Sequence, residues 1–299
     1  MRFTGAMLGV AFTAMGGVQA AEPVSSDAAA TPARTALQQR WDSIFTASDN
    51  PFALQPYQPN YILYTYTTST NVEAYSSADD TDDIEANDLD KHEAKFQLSL
   101  LIPVWRPLIW ERSGLFASYT QVSMWQATNS KISGAFRATD YEPQLFVAKG
   151  FDWDLLGLNL RAAEMGFNHQ SNGRSGDMSR SWNRLYTTLY GDHGNFSTEL
   201  KLWHRLEEET ADDDNPDISR YLGYYHLGVN YKLDQAVISS KMRYNWNSGY
   251  GSGELGLSYP VLKNLRIYGQ VFSGYGETLI DYNHNQTRFG LGIMLGDLL

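Results

Sequence analysis

Arg288-Phe289-Gly290-Leu291-Gly292-Ile293-Met294-Leu295 decides the fold. Phe289, Leu291, Ile293 and Leu295 alternate with Arg288, Gly290, Gly292 and Met294, so one side of an extended chain is apolar and the other is not. The pattern recurs upstream. Leu265, Ile267 and Val271 alternate with Arg266, Tyr268 and Gln270, and Leu255, Leu257 and Tyr259 with Glu254, Gly256 and Ser258. Ile238, Met242, Tyr244 and Trp246 alternate with Ser239, Lys241, Arg243 and Asn245. A soluble sandwich would alternate too, but two features favour strands that cross a membrane. The segments run to about 9–12 residues, the span of a tilted membrane strand. The connections also alternate in length: short at Gly191–Gly194, Leu233-Asp234 and Val261–Lys263, long at Thr70–Lys91, Ala127–Thr139, Gln170–Ser181, Leu206–Arg220 and Tyr275–Asn285.

Twelve strands are expected, over about 61–69, 93–104, 113–126, 140–150, 157–169, 183–191, 195–206, 221–232, 235–246, 252–260, 264–274 and 286–297. The fold class is therefore all-β, a twelve-stranded antiparallel transmembrane β-barrel of an outer membrane. Closure pairs every backbone group in lipid and leaves no edge strand. Composition agrees. Among 299 residues there are 19 Tyr, 13 Phe, 8 Trp and 25 Gly, with only 19% charged. No cysteine is present, which excludes disulfides, thiolate nucleophiles and cysteine-ligated metals. The net charge of −11 argues against a nucleic-acid partner.

Residues 1–20 read as a signal peptide: Arg2, an apolar run over Ala6–Met15, and Val18-Gln19-Ala20 as cleavage site. Residues 21–60 read as a polar N-terminal periplasmic arm, with a mobile or short helical stretch over Ala21–Asn50, and 61–299 as the barrel. With a periplasmic N-terminus, the first, third and fifth strands run outward.

Chemistry gathers at the outer end of the fifth strand, in Asn168-His169-Gln170-Ser171-Asn172-Gly173-Arg174-Ser175. His169 and Ser171 share the parity of Met165 and Phe167, the lipid-facing set, whereas Glu164 and Asn168 face the lumen. On the next strand Asn183 has the outward parity of Leu185 and Leu189, and antiparallel pairing can bring it beside His169. Serine, histidine and asparagine make a workable acyl-transfer set: nucleophile, general base, and a neutral acceptor that holds the imidazole tautomer. A carboxylate in the third role would be expensive against lipid. Gly173 offers a backbone N–H to a developing oxyanion. The same residues also fit a polar strand end leaving the membrane, with His169 merely interfacial.

His169–Ser175 followed by Ser179-Arg180-Ser181-Trp182-Asn183-Arg184-Leu185-Tyr186 resembles the outer membrane phospholipase A family. The similarity also runs through Tyr141–Phe146, Asp213–Ile218, Tyr244–Gly251, Gly253–Pro260, Ser273–Glu277 and Leu279–Asn283, and covers most of Leu100–Leu299. It implies a calcium-dependent hydrolase of phospholipid acyl esters at both glycerol positions and of lysophospholipids. It puts Ser171 as nucleophile, His169 as general base, Asn183 as the residue that orients it, and Gly173 as an oxyanion donor beside calcium-bound water. It further implies a homodimer whose interface binds Ca2+ through the Arg174 carbonyl, the Ser179 hydroxyl and the carbonyl of Ser133 of the partner subunit, with Gln121 bridging the dimer. Oxygen-only ligation suits calcium. The family carries an acidic residue soon after Arg174-Ser175, linked to a weaker calcium site; here Gly176 precedes Asp177.

Gln121 also has outward parity, with Leu115, Ala117 and Tyr119, and a lipid-facing amide seeks a partner. The acidic runs Asp79-Asp80-Thr81-Asp82-Asp83, Glu207-Glu208-Glu209 and Asp212-Asp213-Asp214 read as solvated loops. Trp105, Trp110, Trp182, Trp203 and Trp246 read as an interfacial aromatic girdle. Two rival functions remain on the residues alone: a passive channel, and a structural or adhesive barrel whose acidic loops are the working parts.

Overall fold

Alternating residues produce the expected strands, and the strands close. The computed structural model describes residues 34–46, 54–75, 88–132, 134, 136–210 and 213–296. The signal-peptide reading, Ser133 and the run Asp79–Asp83 lie outside them. A two-residue strand β1 (Gln55–Pro56) precedes twelve long ones. These are β2 (Asn60–Thr67), β3 (His92–Trp105), β4 (Ser113–Trp125), β5 (Phe136–Leu155), β6 (Leu158–Ser171) and β7 (Ser181–His193). The other six are β8 (Phe196–Leu206), β9 (Tyr225–Leu233), β10 (Ala236–Asn245), β11 (Tyr250–Leu262), β12 (Leu265–Gly274) and β13 (Gln286–Leu295). Each pairs antiparallel with its chain neighbours, β13 returns to β2, and β1 adds a short pairing to β3. Four of the five turns at one end have only two residues; the fifth, between β3 and β4, has seven. Leu156 and Gly157, both at positive φ, join β5 to β6 as a tight hairpin does.

Parity survives in three dimensions. On β6 Met165 is 62% exposed and Glu164 1%. Leu255, Leu257, Leu291 and Ile293 are likewise exposed, which forms the apolar band of a membrane-spanning barrel. The lumen is polar and internally paired. Lys95, Glu277, Arg288, Glu93, Arg137 and Asp281 form an alternating chain of cations and anions, with contacts of 3.0, 2.7, 2.8, 2.6 and 2.9 Å in that order. It ties β3, β5 and β13 to the Tyr275–Asn285 loop at the long-loop end. A buried charge costs several kcal/mol unless paired, and here each has a counter-ion.

The short-turn end is filled by helix α1 (Ala36–Thr46), which lies within the stretch expected as a mobile or short helical arm. Leu37, Trp41 and Ile44 are its buried face, and the Trp41 ring lies 4.9 Å from that of Tyr190, tilted by 56°. Thr35 donates to Asp192, and Arg40 to the Tyr57 carbonyl. Helix α1 is thus a plug held by aromatic packing and polar ties.

Two expectations are corrected. The strand expected from 221 starts at Tyr225, because Ile218–Leu222 forms a short helix, α2. Gly223, at φ +67, ends that helix, and buried Ile218 and Leu222 anchor it across the loop end. Of the tryptophans assigned to the girdle, Trp105, Trp110 and Trp246 are exposed but Trp182 and Trp203 are buried. The Arg184 guanidinium lies over both inner rings, 4.0 and 5.6 Å from their centroids, so they serve a lumen cation rather than the membrane interface.

Candidate active site

The site is built on register. In the β6–β7 ladder His169 faces Asn183, Gln170 faces Trp182 and Ser171 faces Ser181. His169 Nδ1–H donates to Asn183 Oδ1 at 2.9 Å. An amide oxygen only accepts, so the imidazole proton sits on Nδ1 and Nε2 keeps its lone pair. That is the tautomer a general base needs. Ser171, two residues on, shares the outward face with His169.

The inner face of the same ladder is braced. Trp182 Nε1–H donates to Gln170 Oε1 at 2.9 Å, and Arg184 donates to the same oxygen at 3.1 Å and to Glu142 at 3.2 Å. Lumen hydrogen bonds thus lock the interleaved residues, which fixes the backbone from which His169, Ser171 and Asn183 project. On the other side the β5–β6 ladder pairs Tyr141 with Ser171 and resumes at Gln144 with Asn168. Pro143, which has no N–H to donate, falls in the gap, beside His169.

The loop after Ser171 is organised by Asn172, which is buried. Its Oδ1 accepts from the backbone N–H of Arg174 at 3.2 Å and of Arg180 at 3.0 Å. Its Nδ2 donates to the Met178 carbonyl at 2.7 Å. One side chain therefore sets the shape of the segment that holds Gly173, Arg174 and Ser179. The signal for it in the sequence is the asparagine–glycine pair Asn172-Gly173, which favours a turn. Gly173 sits at φ +66, and a Cβ there would stand 3.0 Å from the Tyr141 ring. Both facts restrict the position to glycine.

The oxygens that could hold a hard cation are partly assembled. The Arg174 guanidinium donates to the carbonyls of Phe136 at 3.1 Å and Arg137 at 3.4 Å, which docks this loop against the start of β5. Ser179 Oγ–H donates to Asp214 Oδ2 at 2.5 Å. Among the described residues no group of three or more His, Asp or Glu side chains makes a metal cage. A cation here would rely on carbonyl, hydroxyl and water oxygens with Asp214 alongside, a donor set that suits calcium.

The acidic run assigned to solvent is in fact engaged. Asp214 reaches Ser179, Asp213 pairs with Arg205 at 2.6 Å, and Glu208 accepts from Asn183 Nδ2 at 2.9 Å. Glu207 and Glu209 are exposed. Gln121 lies on the outward set of β4, where its Oε1 accepts from the Tyr119 hydroxyl at 2.9 Å and its Nε2 donates to Ser123 at 3.1 Å. Its amide is already half-satisfied along its own strand.

Residues 37–295 match the family model for phospholipase A1. The phospholipase A1 of Escherichia coli K12 is 54% identical over 250 residues, 84% of this chain and 84% of that protein. The solved outer membrane phospholipase A of E. coli superposes with a TM-score of 0.82 at 52% identity, over 88% of this chain and 99% of that one. An active-site variant of that protein, with an asparagine replaced by alanine, superposes equally well. The Salmonella typhi outer membrane phospholipase, solved as a dimer with bound calcium, gives 0.82 at 51% identity over the same shares. With a closed twelve-stranded barrel under that match, this chain belongs to the phospholipase A1 family, outer-membrane enzymes that hydrolyse phospholipid esters.

Proposed function

We propose that this protein cleaves the sn-1 and sn-2 acyl esters of phospholipids, and those of lysophospholipids, with a Ser171-His169-Asn183 triad on the lipid side of the barrel. The observation that carries the reading is the 2.9 Å bond from His169 Nδ1–H to Asn183 Oδ1 on an otherwise apolar face. Ser171 Oγ attacks the ester carbonyl carbon while His169 Nε2 takes its proton. The carbonyl oxygen becomes an oxyanion, and the Gly173 N–H is the donor offered to it. The tetrahedral intermediate then breaks its C–O bond, and His169 Nε2–H protonates the departing glycerol oxygen. Water, deprotonated by Nε2, attacks the acyl-serine; fatty acid leaves and Ser171 recovers its proton. Asn183 stays neutral throughout and holds the ring.

Bound calcium would supply positive charge that offsets the negative charge developing in the reaction. Its holders would be the Arg174 carbonyl, the Ser179 hydroxyl and the carbonyl of Ser133 of the partner subunit. The dimer and calcium of the Salmonella relative support this reading, as does the active-site asparagine of the E. coli one. Gln121 is the outward polar group suited to bridge two barrels. Substrate access follows from position: a triad outside the barrel meets only esters embedded in the membrane.

The test is fatty-acid release from phospholipid by purified protein in detergent with calcium. Ser171→Ala should lower the rate about 10⁴-fold or more, as loss of a nucleophile does elsewhere, and chelation should stop release. Wild-type hydrolysis by Ser171→Ala would sink the nucleophile, and full activity in chelator would sink the metal role. Bilayer conductance without ester cleavage would instead support a passive channel.

A further inference from the structure

We infer that Glu208 is a positioning residue for the triad, the group that fixes which way the Asn183 amide points; the inference rests on the triad reading above. Asparagine has a defect in the orienting role that a carboxylate lacks. Its amide has two nearly isosteric ends, and only the oxygen end selects the useful imidazole tautomer. With NH2 turned to His169, Nδ1 would have to accept, the proton would move to Nε2, and the base would lose its lone pair. Something must break the symmetry. Glu208 does so. Its carboxylate only accepts, it lies 2.9 Å from Asn183 Nδ2, and it thereby leaves Oδ1 for His169 Nδ1 at 2.9 Å.

Register explains how a loop residue reaches the site. Asn183 pairs with Leu206, the last residue of β8. Glu208, two residues further, keeps the outward parity of Leu206 and so comes back over Asn183. It is half-buried, while Glu207 and Glu209 on either side are exposed. β6, β7 and the loop that leaves β8 thus deliver His169, Asn183 and Glu208 as one line of hydrogen bonds. The carboxylate stands at the loop end of the barrel, where its charge keeps contact with water and avoids the cost of lipid.

Three variants separate orientation from folding. Glutamine at 208 can still accept through Oε1, alanine cannot, and lysine presents a donor that attracts Asn183 Oδ1 and turns the amide over. Expected kcat values run in that order: Glu208→Gln within about twofold of wild type, Glu208→Ala down about 5–10-fold, Glu208→Lys down about a further tenfold, all with KM unchanged. In an Asn183→Ala background the three should be indistinguishable, because no amide remains to orient. Barrel folding is checked separately by thermal unfolding in the same detergent. Wild-type kcat for Glu208→Ala and Glu208→Lys, with Ser171→Ala inactive, would overturn the role of Glu208 and leave the triad standing. An undiminished Glu208→Lys penalty in the Asn183→Ala background would overturn it too. An active Ser171→Ala protein would instead remove the triad on which it rests.

Discussion

The two faces of the β6–β7 ladder carry polar side chains under opposite terms. Inside, Glu164, Asn168, Gln170, Trp182 and Arg184 are buried or half-buried and meet other polar groups of the lumen. Outside, His169, Ser171 and Asn183 interrupt a row of exposed Met165, Phe167, Leu185 and Leu189. A polar group in the lumen finds partners on facing strands and stabilises the barrel. One on the outer face has only its neighbours in the sheet, so it must be aligned with them or tolerated at a cost. The inner face therefore holds the structure, and the outer face, where polarity is sparse, carries the proposed triad.

That division can be broken first from the inside. Arg137→Leu removes the cation between Glu93 and Asp281 and leaves two buried carboxylates short of a counter-ion. Loss of one partner in such a network costs about 3–5 kcal/mol. The midpoint of denaturant or thermal unfolding should fall accordingly, while the rate per folded molecule stays near wild type. A large fall in kcat with unchanged stability would contradict the separation of the two faces.

Gly173→Ala tests the outer face. The substitution strains a backbone at φ +66 and pushes a methyl group toward Tyr141. Because Gly173 lies beyond the paired strands, the stability loss should stay at the level of that local strain, about 1–3 kcal/mol. Displacement of its N–H should cost about 10²-fold in kcat, the scale of losing one oxyanion donor. Unchanged fatty-acid release would remove Gly173 from the reaction.

The smallest effect is a pH dependence of stability on the inner side. Burial pushes the Asp281 and Glu277 carboxyls up, but Arg137 beside Asp281, and Arg288 with Lys95 beside Glu277, outweigh it and hold both below the usual carboxylate range. A depressed folded value stabilises the native state above the unfolded value, and the contribution is lost as pH falls through the folded value. The unfolding midpoint should be flat from neutral pH to about 5 and decline below about 4. A decline that Glu277→Gln leaves unaltered would dissociate the loop end from acid sensitivity.

Much of this was legible in the chain. Alternation in Arg288–Leu295 and its upstream counterparts gave the strands, their even number and the face of each residue, because a strand's period of two is a local property. The same parity put His169, Ser171 and Asn183 on the outer face before any pairing was known. What parity could not rank was partnership. Trp182 and Trp203 sit near strand ends, as girdle residues do, yet they face the lumen beneath Arg184. The acidic run after Leu206 looks like solvent-facing charge, yet one of its glutamates meets Asn183 and one aspartate meets Ser179. Tyr221 and Leu222 were expected to open the strand over 221–232 but close helix α2 instead, and Gly223 at positive φ separates that helix from β9.

The alternation along the chain determined twelve strands that close into a barrel, and a serine, a histidine and an asparagine on its lipid side. Only the tertiary structure decided which loop residues close over that site, how helix α1 plugs the opposite end, and which way the Asn183 amide points. The reason is range. Facing is written every two residues along one strand, whereas the contacts from Asn183 to Glu208, from Ser179 to Asp214 and from Arg137 to Asp281 join residues 25, 35 and 144 positions apart. Those exist only once the register of twelve strands has closed.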